Sequence, residues 1–237
     1  MSAATYVLVH GAYHGAWCWK KVAARLRALG HLVYTPTLTG LGERSHLMAC
    51  DPSLGLFIED VAQVIRFEDV DDVVLVGHSF AGGVISGVAD QMPDRLRHLV
   101  YLDAQVLLAG ESAAGRAPAD LIDRYRQNVR ESSGFPVVPP GDPASFDITD
   151  PTLAAWVQSR LTPHPYRTYF DTLELAHPLN NGVPATYIAC TQPLRPRIAT
   201  SRQRARELGW SYLEIATGHD AMLSMPAELT RMLAEFG

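Results

Sequence analysis

The chain has 237 residues, 47% hydrophobic and 19% charged, with a formal net charge of −5. That balance excludes a disordered chain and suits one packed domain or a small pair. The negative charge gives no basic footprint for nucleic acid or anionic lipid, and no run of about 18 apolar residues is present to cross a membrane.

Cys18, Cys50 and Cys190 are far apart in the chain, odd in number and without C-x-x-C spacing, so neither a disulfide framework nor a zinc site is supported, and a reducing cytoplasm is expected. The start, Met1-Ser2-Ala3-Ala4-Thr5, enters an apolar run with no basic segment before it, so no secretory leader is expected.

Residues 5–10 (TYVLVH) form a continuous apolar run ended by glycine, the pattern of a strand buried on both faces. Residues 19–29 carry an apolar stripe at helical spacing, closed by Gly30, and 31–35 read as the next strand. A Pro/Thr/Gly-rich loop is expected over 36–47, then a helix over 56–67, a strand over 72–76, a helix over 80–92 and a strand over 98–102. The alternation then breaks. Helical stretches are expected at 119–131, 151–161 and 165–175, with a loop at 134–143. It resumes with a strand at 185–190, a helix at 200–208, a strand at 211–215 and a last helix at 220–235. Such βαβ alternation predicts a parallel sheet of about six strands flanked by helices. The interruption reads as a helical cap over the carboxyl edge of the strands, where open α/β sheets bind ligands.

The strand at 72–76 runs into Gly77-His78-Ser79-Phe80-Ala81-Gly82-Gly83. This resembles the nucleophile elbow, G-x-S-x-G, a sharp strand-to-helix turn that lifts a serine hydroxyl onto a helix N-terminus. Ala81 stands where the motif has its last glycine. A serine needs a base. His219, in Thr217-Gly218-His219-Asp220, follows the last strand, where the elbow's fold places that base. His10 and His14 read as structural or pocket-lining, His78 as packed, and the remaining histidines as surface, capping or cap residues. Two backbone N–H groups, from Ala12 and Phe80, would form an oxyanion hole.

Three stretches, HGAYHGAWCW (10–19), GHSFAGG (77–83) and HDAMLSMP (219–226), resemble the α/β-hydrolase group that contains plant methylesterases, hydroxynitrile lyases and related bacterial esterases. The resemblance implies a single α/β-hydrolase domain over 1–237, with a core at 1–103 and 184–237 and a helical cap at about 104–183. It implies a serine esterase that uses no metal or organic cofactor. The group's lyases carry threonine after the first histidine and lysine after the catalytic one. Here those positions are Gly11 and Asp220, which favours the esterase branch.

The group's triad acid normally follows the strand matched by 185–190, and the aligned residue here is Pro193. No acid occurs from Val183 to just before Glu207. Asp103 ends the strand beside the nucleophile strand and is the expected substitute. The alternatives are Asp103 as an Asx-turn cap, Asp220 as the acid rather than a cap of the last helix, and a Ser–His dyad oriented by water, Thr191 or Gln192. Tyr13, His14, Trp17, Tyr125, Trp156 and Phe170 are expected to line an aromatic pocket. The expected substrate is a small aryl or methyl ester, cleaved through an acyl-enzyme, in a cytoplasmic protein compatible with a homodimer. The rival readings are a lyase, decarboxylase or cyclase using the same pocket, and a non-catalytic ligand-binding protein.

Overall fold

The computed structural model describes residues 3–237, so the reading of the first residues as leaderless falls partly outside the described chain, as do residues 1 and 2 of the expected core. Strands β1 (Thr5–Val9), β2 (Leu32–Tyr34), β3 (Val73–His78) and β4 (Leu96–Leu102) alternate with helices α1 (Lys20–Ala28), α2 (Leu54–Phe67) and α3 (Ala81–Gln91). After β4 come α4 (Ala119–Asn128), β5 (Arg130–Ser132), β6 (Phe135–Val138), α5 (Pro151–Gln158) and β7 (His164–Pro165). The alternation resumes with β8 (Ala185–Cys190), α6 (Ala199–Glu207), β9 (Ser211–Ile215), α7 (Ala221–Ser224) and α8 (Pro226–Leu233).

Six strands form one sheet in the order β2-β1-β3-β4-β8-β9, and every pair is parallel. β3 is buried along its whole length, which is why its sequence is apolar without alternation. Helix α1 packs with α8, and α2 with α3. Register decides where chemistry can occur. Val9 pairs with Gly77, and His78 pairs with Leu102. The chains leaving β1, β3 and β4 therefore emerge side by side at one edge, carrying Gly11, Ser79 and Asp103.

The segment between β4 and β8 departs from the helical expectation. Residues 134–143 are not all loop, because β5, β6 and β7 form a small antiparallel sheet. Its hairpin turns at Ser133 and Gly134, with φ of 54° and 82°, the geometry of a two-residue turn that follows strand twist. The helix expected at 165–175 shrinks to a 3₁₀ turn, Tyr166–Tyr169, because the backbone beyond it pairs with another segment: Ser112 and Thr172 form an antiparallel bridge, and Leu173 N–H donates to Glu111 O at 2.8 Å. Part of the loop expected at 36–47 winds into a 3₁₀ segment, Gly42–Cys50. The last helix is broken into α7 and α8 at Pro226.

Candidate active site

Ser79 sits between β3 and α3 with φ of 56°, a left-handed conformation rarely adopted by a residue with a side chain. The turn is tied on both sides. Ser79 N–H donates to Leu102 O at 3.1 Å, and Gln105 N–H donates to Ser79 O at 2.9 Å. A Cβ on Gly82 would lie 1.9 Å from the Gln105 carbonyl oxygen, so the close approach that demands glycine falls one position beyond Ala81. Gly11 is equally constrained, since a Cβ there would stand 2.8 Å from Ser79 Cβ. The first loop thus lies against the serine.

Ser79 Oγ–H donates to His219 Nε2 at 2.8 Å, and His219 Nδ1–H donates to Asp103 Oδ2 at 2.7 Å. His219 and Asp103 are buried. The other Asp103 oxygen accepts from Cys190 N–H at 3.3 Å and lies 3.9 Å from Arg202 Nη1. Burial lowers the His219 imidazole well below its usual range, and the nearby Arg195 and Arg197 act the same way, so the ring is neutral near pH 7 and free to accept a proton. Burial raises Asp103 to about 7, opposed by the Cys190 N–H and by Arg202, Arg195 and Arg197. The stretch after β8 supplies no carboxylate. Instead, Gln192 N–H donates to Thr217 O at 3.0 Å, joining that turn to the histidine loop.

Asp220 does not orient His219, and its side chain does not cap the helix that follows it. Its Oδ2 accepts from His14 Nε2 at 3.0 Å, with both side chains buried, while His14 Nδ1–H donates to Ala12 O at 2.7 Å. One ring nitrogen faces a carbonyl and the other a carboxylate, so both carry protons and the ring is an imidazolium. Burial pulls His14 down, but the charge and hydrogen bond of Asp220 outweigh it and raise the ring. Burial pushes Asp220 up, and His14, His78 and Arg195 hold it below its usual range.

His10 has the opposite character. Its Nε2 accepts from Leu38 N–H at 3.1 Å and its Nδ1–H donates to Gly11 O at 2.8 Å, so the ring is neutral, and burial lowers it to about 3. The Gly11 carbonyl belongs to the peptide whose N–H is that of Ala12. Fixing one end of a planar trans peptide fixes the other, so His10 and His14 between them hold both peptides flanking Ala12. Ala12 and Phe80 line the cleft, and among the described residues neither N–H donates to a protein acceptor.

The cleft above Ser79 has a volume of about 60 Å³ and is walled by Ala12, Tyr13, His14, His78, Phe80, Gln105, Arg116, Ala117, Leu121, Tyr125, Phe146, Tyr169, Arg197, Ile198, Thr200, Ser201 and His219. Tyr13, His14 and Tyr125 lie where the sequence places them. Trp17, Trp156 and Phe170 do not. The two tryptophans pack edge-to-face at 5.4 Å and line a separate groove with Lys20 and Lys21, while Phe170 packs on Tyr166 at 4.7 Å. Helical spacing marks a side chain as inward-facing but not which cavity it faces. Phe146 and Tyr169 also line the cleft, with no signal in the sequence that separates them from packed aromatics, and Arg197 lies in the Pro193-Leu194-Arg195-Pro196-Arg197 run, which the sequence alone leaves as either a cleft wall or a rigid turn. His78, His219 and Asp220 converge closely enough to hold a metal ion, but hydrogen bonds already engage them: His78 Nε2–H donates to His219 O at 3.1 Å, and the other two are engaged as above.

A family model described as the alpha/beta hydrolase family matches residues 6–232, and the chain belongs to that family. A carbendazim hydrolyzing esterase from Nocardioides sp. (strain SG-4G) is 37% identical over 244 residues, covering 99% of this chain and all of the relative. Methylesterase 7 of Arabidopsis thaliana is 26% identical over 97% of this chain and 95% of its own. Among solved structures, an extracellular alpha/beta-hydrolase from a Paenibacillus species superposes with a TM-score of 0.85 at 27% identity, over 99% of each chain. That protein is described as sharing structural and functional homology with tobacco salicylic acid binding protein 2. No helix among the described residues is long and apolar enough to cross a membrane.

Proposed function

We propose that the chain hydrolyses a small carboxylic ester, an aryl or methyl ester, through an acyl-enzyme on Ser79. It is an esterase of the alpha/beta-hydrolase family, and its full-length relative from Nocardioides carries an esterase name. The observation that carries the catalytic assignment is the relay from Ser79 Oγ through His219 to Asp103, at 2.8 and 2.7 Å.

In this reading His219 Nε2 takes the Ser79 proton as Oγ bonds to the ester carbonyl carbon. The carbonyl oxygen becomes an anion received by the Ala12 and Phe80 N–H groups. Asp103 holds the ring in the Nδ1–H tautomer and stabilises the imidazolium. His219 returns its proton to the leaving alkoxide, the carbon–oxygen ester bond breaks, and the alcohol departs. Water then attacks the acyl carbon by the same route and releases the acid and Ser79. The small cleft suits a compact leaving group such as methoxide.

The chain is further read as one domain, with 104–183 inserted as a cap. Its support is that β4 and β8, the strands flanking that segment, are direct neighbours in the sheet. A cytoplasmic location is supported by three free cysteines, and a homodimer by the open edge at β2, where Leu32 is exposed. Cell fractionation and sedimentation test these two.

The test of the activity is labelling with a fluorophosphonate, followed by peptide mass mapping and assay of Ser79→Ala on methyl and aryl esters. One adduct on Ser79 and loss of turnover in Ser79→Ala are expected. Labelling elsewhere, or turnover retained by Ser79→Ala, overturns the reading and favours a lyase or decarboxylase chemistry.

A further inference from the structure

Arg197 stands at the mouth of the cleft, in the 3₁₀ turn Pro196–Ile198. It is half-buried. Among the described arginines and lysines that are half-buried or buried, it is the one whose side chain makes neither an ion pair nor a hydrogen bond. The other half-buried or buried arginines are engaged, as Arg195 is with Asp147 at 3.3 Å and Arg204 is with Glu111. A guanidinium removed from part of its water without a partner is an incomplete arrangement, and a bound anion completes it.

The surroundings favour the same occupant. Arg116 also lines the cleft, and no carboxylate does. The cleft shares Tyr13, Tyr125, Phe146 and Arg197 with a neighbouring groove of about 570 Å³ that Arg124 and Arg130 also line, again with no carboxylate in its lining. A second groove on the other flank of Arg197 holds two acids, and both are taken: Asp120 by Arg124 at 3.2 Å, and Asp147 by Arg195. Arg116 is itself partly neutralised by Glu111 at 3.6 Å. Arg197 thus stands as an unpaired cation beside a cleft without carboxylates, in a chain of net charge −5, and gives that wall a local field opposite to the charge of the whole molecule.

We propose that Arg197 is a specificity residue, and that the substrates are esters whose acyl part carries an anionic group, such as the mono-ester of a dicarboxylic acid. The ester carbonyl sits over Ser79, the apolar acyl body lies between Tyr125 and Phe146, and the distal anion meets the Arg197 guanidinium. This rests on the esterase reading of the same cleft and narrows its substrate class.

The test compares the monomethyl ester of an aromatic dicarboxylic acid with its isostere bearing a carboxamide in place of the free carboxylate. The wild-type enzyme is expected to prefer the carboxylate ester by about tenfold in kcat/KM at low salt, with the difference in KM. That ratio should shrink as ionic strength rises. Arg197→Gln should bring it near one, and Arg197→Lys should restore part of it. Equal KM for the two esters, preference for the amide, or a ratio that survives Arg197→Gln overturns the proposal. If the wild type cleaves both esters equally while Ser79 still labels, anion selection fails and the esterase reading stands. If Ser79 does not label, both fail.

Discussion

Asp220 follows His219 directly in the chain, yet its carboxylate serves His14 in the loop after β1. A buried ion pair that loses one partner costs about 3–5 kcal/mol, because the remaining charge has no compensation. Asp220→Asn is therefore expected to lower unfolding stability by about that amount in urea titrations. The pH dependence follows from the directions of the two shifts. His14 is raised above 6.5, so its contribution is full below that value and fades as pH rises through the folded pKa. Asp220 is lowered below 3.8, so its contribution is full above that value and fades as pH falls through the folded pKa. The wild-type advantage over Asp220→Asn should thus be largest between the two ordinary values, 3.8 and 6.5.

Arg202 permits a second test at the same scale. Its guanidinium favours the charged form of Asp103. The relay works only when Asp103 and His219 together lack their extra proton, so kcat/KM should rise with pH along a one-proton limb. Arg202→Gln removes a cation and should move that limb to higher pH. An unmoved limb would separate Arg202 from the charge of the relay.

At the scale of elements, the β3–α3 turn is held by the contact of Gly82 with the chain after β4. Gly82→Ala forces a Cβ into the Gln105 carbonyl at 1.9 Å. The cost should reach or exceed about 3 kcal/mol, the upper end for overpacking, and loosen the serine with it. Gly83→Ala is the control, since its Cβ would meet only side-chain methyls, of Leu107 at 3.3 Å and Leu54 at 4.0 Å, and gains up to about 1 kcal/mol of helix propensity. Thermal unfolding of the two variants should diverge accordingly.

What was legible at this scale follows the range of the forces involved. The elbow is a local device, so Gly77, Ser79 and a buried strand announce it. The β5–β6 hairpin instead reads as the end of a helix and a loop, because β5 is three polar residues and Pro136 interrupts the short apolar run of β6. The aromatic residues are the hardest to place. Trp17, after β1, and Trp156, in α5, pack against each other, and only the path of the whole segment between β4 and β8 decides that their groove is not the one above Ser79.

Across the whole molecule, the site exists because parallel register delivers distant residues to one edge. Ser79 and His219 are far apart in the chain, and Asp103 comes from β4 rather than from the stretch after β8, where Pro193 stands. The alternation of strands and helices made that edge readable, and the missing acid near Pro193 pointed to the neighbouring strand. The buried pair of His14 and Asp220 was not readable, because two residues so remote in sequence give no periodic signal. The most direct measurement is kcat/KM of Asp103→Asn on a methyl or aryl ester that the wild-type enzyme cleaves, with folding checked by circular dichroism. A folded variant slowed by roughly 10⁴-fold, the scale of acid-to-amide changes in such triads, is the predicted result. A folded variant that cleaves at near wild-type rate would contradict the account.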